Sequence, residues 1–168
     1  MSHQPHPDTA PVVVDCAILT ISDTRTPETD RSGQLIRELL QAAGHQITHY
    51  ALLPDEPDAI QAQVLSLCQT TQVVILNGGT GIAPRDTTYD AIERLLEKTL
   101  PGFGELFRWL SYQEIGSRAM ASRAVAGVCC GTLVFSLPGS SSAVRLAMDQ
   151  LILPELGHLT RQLHPDRA

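Results

Sequence analysis

Three glycines stand among the five consecutive residues Asn77, Gly78, Gly79, Thr80 and Gly81, directly after the apolar run 73–76. Glycines at that density let the backbone take positive φ and turn several N–H groups toward one point, which is the chemistry of an anion cradle. A helix starting at Thr87 or Thr88 would add its N-terminal dipole to the same spot. A bare strand-to-helix turn would use the same residues. Two better-defined phosphate motifs are absent. A G-x-G-x-x-G pattern begun at Gly79 meets Pro84 where its third glycine belongs, and the loop has no lysine for a Walker motif.

Charged residues surround this loop. Arg85 could clamp phosphate oxygens, and Asp86 could hold Mg²⁺, an ion that takes one or two protein carboxylates and keeps several waters. Asp86 ahead of Thr-Thr is equally a helix-capping sequence. Asp55 and Glu56 sit between Pro54 and Pro57, where a turn alone would account for them. Ser22 and Asp23 close another apolar run, and Pro138, Gly139, Ser140, Ser141 and Ser142 form a small-residue entry to a helix, with hydroxyls and free N–H groups suited to a second phosphate or to plain capping. These serines make no G-x-S-x-G elbow and have no histidine partner in view, which argues against a serine hydrolase.

The elements that must position these residues follow from the apolar pattern. Residues 12–21 read as a strand covered on both faces, and 46–53, 73–76, 125–130 and 132–137 as further strands. Ser32 is the expected cap of a helix with Leu35, Ile36, Leu39 and Leu40 inward and Gly44 at its end. A second helix starts at Pro57, a third after Thr87 or Thr88, and a fourth at about Glu105 once 101–104 has broken the chain. A last helix runs from 140–142 toward Leu151, with Pro154 interrupting it. Alternating strands and helices on short connections predict a three-layer α/β/α domain with a mostly parallel sheet. In such sheets ligands collect at the carboxyl ends of the strands. The loops after Ile21, Leu53, Leu76 and Leu137 carry the candidate residues, and three of them present an aspartate.

Size and composition fit that picture. A chain of 168 residues makes one domain able to bury roughly two-thirds of its unfolded surface. The expected organisation is an N-terminal arm over residues 1–11, a domain over 12–160 and a tail over 161–168. A net charge of −6 disfavours a polynucleotide-binding face, and Lys98 is the only lysine, so positive charge is nearly all arginine. Cys16, Cys68, Cys129 and Cys130 form no C-x-x-C pair, and His45 and His49 are parted from a helix by Gly44, so neither zinc nor a disulfide framework is indicated. No run approaches a membrane span and no secretory signal is visible, which predicts a cytoplasmic protein. Aromatic residues make up only 4%, too few near the glycine loop for a flavodoxin-like carrier.

Taken in order, the segments ILTISD, LLPDE, ILNGGTGIAPRDTT, PGFGELFR and FSLPGSSSA resemble the molybdopterin-binding family of MoaB, MogA and gephyrin-like domains, over about residues 12–159. The stretch LSYQEIGSRAMASRAVAGV is most similar to the MoaB branch. The resemblance implies a MogA-like fold and Mg²⁺-dependent transfer of AMP from ATP to molybdopterin, with pyrophosphate released. It implies Asp55 and Asp86 as the catalytic and Mg²⁺-holding acids. Gly78, Gly79, Thr80, Gly81 and Arg85 would hold nucleotide phosphates. Ser22, Asp23, Pro138, Gly139, Ser140 and Ser141 would hold molybdopterin, and Glu105 is a further candidate. It also implies a homo-oligomer, hexamer or trimer, and a partner in the pathway's molybdenum-insertion protein; Leu106, Phe107, Trp109 and Leu110 could belong to a subunit interface or simply to the core. A carrier that binds molybdopterin without catalysis is the alternative.

Overall fold

The computed structural model describes residues 12–165; the arm expected over residues 1–11 lies outside them. The chain order is β1 (Asp15–Ile21), α1 (Arg31–Ala42), β2 (Gln46–Leu53), α2 (Pro57–Leu67), β3 (Val73–Asn77), α3 (Thr88–Leu95), β4 (Lys98–Thr99) and α4 (Pro101–Ile115). A 3₁₀ segment (Gly116–Ala121) leads to β5 (Val125–Cys129) and β6 (Thr132–Leu137). Then come α5 (Ser141–Ala147), a π turn (Met148–Ile152) and α6 (Leu153–Leu163). One sheet of six strands has the order β2-β1-β3-β6-β5-β4. The four strands from β2 to β6 are parallel; β5 and β4 add antiparallel at the far edge. The expected α/β architecture with a mostly parallel sheet is present.

Strand alternation divides the core in two. Cys16 and Ile18 of β1, Val73 and Ile75 of β3, and Leu133 and Phe135 of β6 face α1, α4, α5 and α6. Their neighbours Ala17, Leu19, Val74, Leu76 and Val134 face α2 and α3. Near-continuous apolar strands are what burial on both faces demands. Each fully buried Ile or Leu, such as Ile36 and Leu40 of α1, contributes about 2 kcal/mol relative to exposure. Among the described residues no helix is long and apolar enough to cross a membrane.

Four local expectations need correction. The cap of α1 is Asp30, whose side chain accepts from the Gly33 N–H, and Ser32 lies inside the helix. Helix α4 begins at Pro101 instead of Glu105, because a proline in the first turn gives up an N–H that has no helical partner anyway. Pro154 does not interrupt the last helix. It sits in the first turn of α6 after the π turn, whose wider winding shifts the carbonyl that a proline ring would otherwise strike. Consequently α6 runs to Leu163, through the boundary expected at residue 160.

Ser136 of β6 pairs with Leu76 and Val125 on either side, is fully buried, and its hydroxyl has no hydrogen-bond partner among the described residues. An unsatisfied buried hydroxyl costs free energy that alanine does not. Ser136→Ala is expected to leave stability unchanged or raise it by up to about 1 kcal/mol in thermal or urea unfolding. A clear loss would show that the hydroxyl has a partner in solution.

Candidate functional site

The parallel strands end in register, Thr20 beside Asn77 and Asn77 beside Leu137, so the loops after β1, β3 and β6 start side by side. The Gly78 N–H donates to the Leu137 carbonyl at 3.0 Å, and the Ser22 N–H donates to the Leu53 carbonyl at 2.9 Å. Gly78 (φ 99°) and Gly79 (φ 65°) both take the left-handed backbone that glycine allows. Space enforces the same choice. A Cβ on Gly78 would strike the Ile21 carbonyl oxygen, and one on Gly79 would strike the Thr88 hydroxyl and the Asp55 carboxylate. The result is a cleft of about 460 Å³. Its lining brings together Ser22, residues 78–81, Asp86, Pro138 and Gly139 with Arg118 and Ser122 from the 3₁₀ segment and its end.

The two candidate acids have different settings. Asp55 is buried behind Gly79, and its Oδ1 accepts from the Thr87 hydroxyl at 2.6 Å, the Thr88 hydroxyl at 3.2 Å and the Thr87 N–H at 3.2 Å. It therefore caps α3 from another loop, a task that the Thr87 side chain does not perform. Asp86 faces the cleft. Its Oδ2 accepts from the Ala83 N–H at 3.0 Å, while its Oδ1 accepts no hydrogen bond among the described residues.

Arg85 does not line the cleft. Its guanidinium forks onto Asp23, with Nε to Oδ2 at 3.1 Å and Nη2 to Oδ1 at 2.9 Å, and its Nη1 reaches Glu56 Oε1 at 2.8 Å. Asp23 Oδ1 also accepts from the Asp55 N–H at 3.1 Å. The Arg85 bonds, then the Asp55 amide, hold the Asp23 carboxyl below its usual range, and the same two carboxylates raise Arg85 further. These charges lash the loops after β1, β2 and β3 together. Ser140 caps α5 by accepting from Ala143 N–H at 3.2 Å, and Ser141 faces a separate hollow between α1 and α5 beside Arg31 and Arg145. Glu105 lies in a third hollow with Tyr89 and Arg108. Of the residues expected at the site, the cleft thus gathers Ser22, residues 78–81, Asp86, Pro138 and Gly139.

Sequence reasoning missed the support beneath. Asp30, fully buried, accepts from the Thr20 hydroxyl at 2.6 Å, the Tyr50 hydroxyl at 2.6 Å and the Gly33 N–H at 3.0 Å. Arg25 approaches its Oδ1 at 3.5 Å. The Asn77 amide donates to Thr20 Oγ1 at 2.9 Å, Ser32 donates to Asn77 Oδ1 at 2.7 Å, and Arg25 reaches Gly139 O at 2.9 Å. Burial by itself would raise the Asp30 carboxyl; the Thr20, Tyr50 and Gly33 bonds with Arg25 outweigh it and hold it low. The available signal was a threonine and an asparagine inside apolar strands, each a polar group that must find a partner once buried.

Residues 17–158 match the family model described as "Probable molybdopterin binding domain". The chain is 55% identical to Molybdenum cofactor biosynthesis protein B of Bacillus subtilis (strain 168), over 99% of this chain and 100% of that protein. The chain belongs to the MoaB family. A crystal structure of a Molybdenum cofactor biosynthesis protein B superposes with a TM-score of 0.90 at 57% identity, covering 93% of this chain and 99% of that one. Pyrococcus furiosus MoaB, described as a tungsten cofactor synthesizing protein, gives 0.82 at 34% identity over 92% and 99%. A MogA structure gives 0.80 at 27% identity over 89% and 99%. The MoaB family and the MogA-like fold read from the motifs are therefore both present.

Asp30 supplies a pH test of the network in this MoaB-family chain. A carboxyl whose folded pKa is depressed stabilises the fold fully above the unfolded value, about pH 4, and loses that contribution as pH falls through the folded pKa. Asp30→Asn is expected to cost about 3 kcal/mol at pH 7, and its difference from the parent should shrink as pH drops below about 4. Urea unfolding at several pH values checks this; a difference independent of pH would show that the charge is not what matters.

Proposed function

We propose that the chain acts in molybdenum cofactor biosynthesis, transferring AMP from ATP to the phosphate of molybdopterin in an Mg²⁺-dependent reaction. The observation that carries this reading is Asp86, a carboxylate with one oxygen uncommitted, facing the same cleft as the glycine loop in a chain whose family model is a molybdopterin-binding domain. In the reaction an oxygen of the molybdopterin phosphate monoester bonds to the α-phosphorus, the bond from that phosphorus to the α–β bridging oxygen breaks, and pyrophosphate leaves with the electron pair. The attacking oxygen is already anionic, so the protein's task is to align the two phosphates and offset their repulsion.

The residues present fit a bound Mg²⁺. Among the described residues no group of three metal-binding side chains converges, and Mg²⁺ needs only one or two carboxylates beside phosphate and water. Asp86 would hold it through Oδ1; Asp55, expected beside it, is committed to Thr87 and Thr88 behind Gly79 and supports the loop from there. When bound, the ion neutralises charge on the phosphate oxygens. The N–H groups at residues 79–81 bind phosphate, and Ser22, Pro138 and Gly139 take the pterin. Asp55 keeps α3 and its N-terminal N–H groups aimed at the loop.

Pyrophosphate release from ATP, Mg²⁺ and molybdopterin tests the proposal. Asp86→Ala is expected to lower the rate by at least about 100-fold with the fold intact. A second reading, a molybdopterin carrier without catalysis, draws on the full commitment of Arg85 to Asp23 and Glu56, which leaves that guanidinium off the phosphates. Molybdopterin binding with no pyrophosphate release would establish the carrier and overturn transfer.

The proposal includes a homo-oligomer, hexamer or trimer, working in the cytoplasm with the pathway's molybdenum-insertion protein as a partner. Its support is exposed apolar surface where α4 meets the 3₁₀ segment: Trp109, Tyr112 and Met120 line one hollow and are 59–86% exposed. Exposed apolar surface gathered in this way marks association sites. Trp109→Glu is expected to lower the mass measured by light scattering after gel filtration. An unchanged mass would place any interface elsewhere.

A further inference from the structure

Four arginines stand around the glycine loop, and three are committed. Arg25 is bonded to Ser32 and to the Gly139 carbonyl. Arg85 holds Asp23 and Glu56. Arg123 donates to the Gly81 carbonyl at 3.1 Å and to Asp90 at 2.7 Å, while its guanidinium covers the Tyr89 ring at 4.3 Å. The fourth, Arg118, lines the same cleft as residues 78–81 and makes no hydrogen bond or ion pair among the described residues. Its backbone is nevertheless anchored. Gly116 (φ 63°) turns the chain out of α4, Ala119 is buried beneath it, and Arg123 pins the following residues to the glycine loop.

An uncommitted guanidinium, on a held segment, lining the same cleft as the N–H groups of residues 79–81, can supply a second contact for an anion held there. Arginine meets phosphate in a bidentate fork. We propose that Arg118 is the specificity-determining cation of this cleft, binding a phosphate group of the ligand together with residues 79–81. The proposal rests on the phosphate-ligand part of the reading above and is independent of whether transfer occurs. The phosphate has two possible sources, the polyphosphate of a nucleotide or a phosphate monoester.

Calorimetric titration of the full chain with inorganic tripolyphosphate and with phenyl phosphate separates the two sources without turnover. Arg118→Ala is expected to weaken at least one of them by about tenfold, Arg118→Lys to weaken it less, and added salt to narrow the gap from the parent. Arg94→Ala, at the far end of α3, removes the same charge elsewhere and should leave both affinities close to the parent. Loss confined to tripolyphosphate assigns Arg118 to the nucleotide side, and loss confined to phenyl phosphate to the monoester side. Equal binding by Arg118→Ala and the parent, or equal weakening by Arg94→Ala, overturns the proposal. Absent pyrophosphate release with this binding defect retained would remove the transfer reading and leave Arg118 in place. Thermal unfolding of Arg118→Ala should match the parent, since the side chain is exposed.

Discussion

One buried carboxylate sets the geometry on which the cleft depends. Asp30 gathers hydroxyls from β1 and β2 and an N–H from the first turn of α1, and Arg25 carries the connection on to the loop after β6. Four separate stretches of chain thus share one negative charge. A buried carboxylate is tolerable only when donors surround it, so each of those stretches has a single acceptable position. The loops that line the cleft are tied to that network through Arg25 and Asn77.

A second set of charges acts at the rim. Arg85 joins Asp23 to Glu56, Asp23 accepts from the Asp55 backbone, and Asp55 caps α3. Exposed ion pairs contribute little to stability one at a time. Their effect here is positional, because they close three loops whose ends the parallel strands have already aligned. The acid with an uncommitted oxygen, Asp86, then stands beside a loop that cannot move away.

Much of this was readable from residue order. The strands betrayed themselves by apolar runs, and the ligand edge followed from parallel connectivity, which places the loops containing Ser22, Gly78 and Pro138 together. Harder to read were the long-range polar partners. Arg85 beside a glycine loop has the composition of a phosphate clamp, yet its partners Asp23 and Glu56 lie 62 and 29 residues away in sequence. Asp30 looked like one polar residue among several in a loop, and only the fold puts Thr20 and Tyr50 around it. Ser140, Ser141 and Glu105 belong to the right segments but turn to capping or to other hollows, because a segment's address does not specify its side-chain direction. The strand β4, two residues long, is too short to leave any periodic trace.

The π turn has a consequence for how this fold can vary. A π turn amounts to one extra residue inserted into a continuous helix. Each residue advances an α-helix by about 100°, and the wider winding of the π turn takes up the extra residue with little net change of phase. Leu156 and Thr160, both buried, therefore keep the side they would present in an unbroken α-helix. Relatives one residue shorter here can wind regularly and still bury the same face.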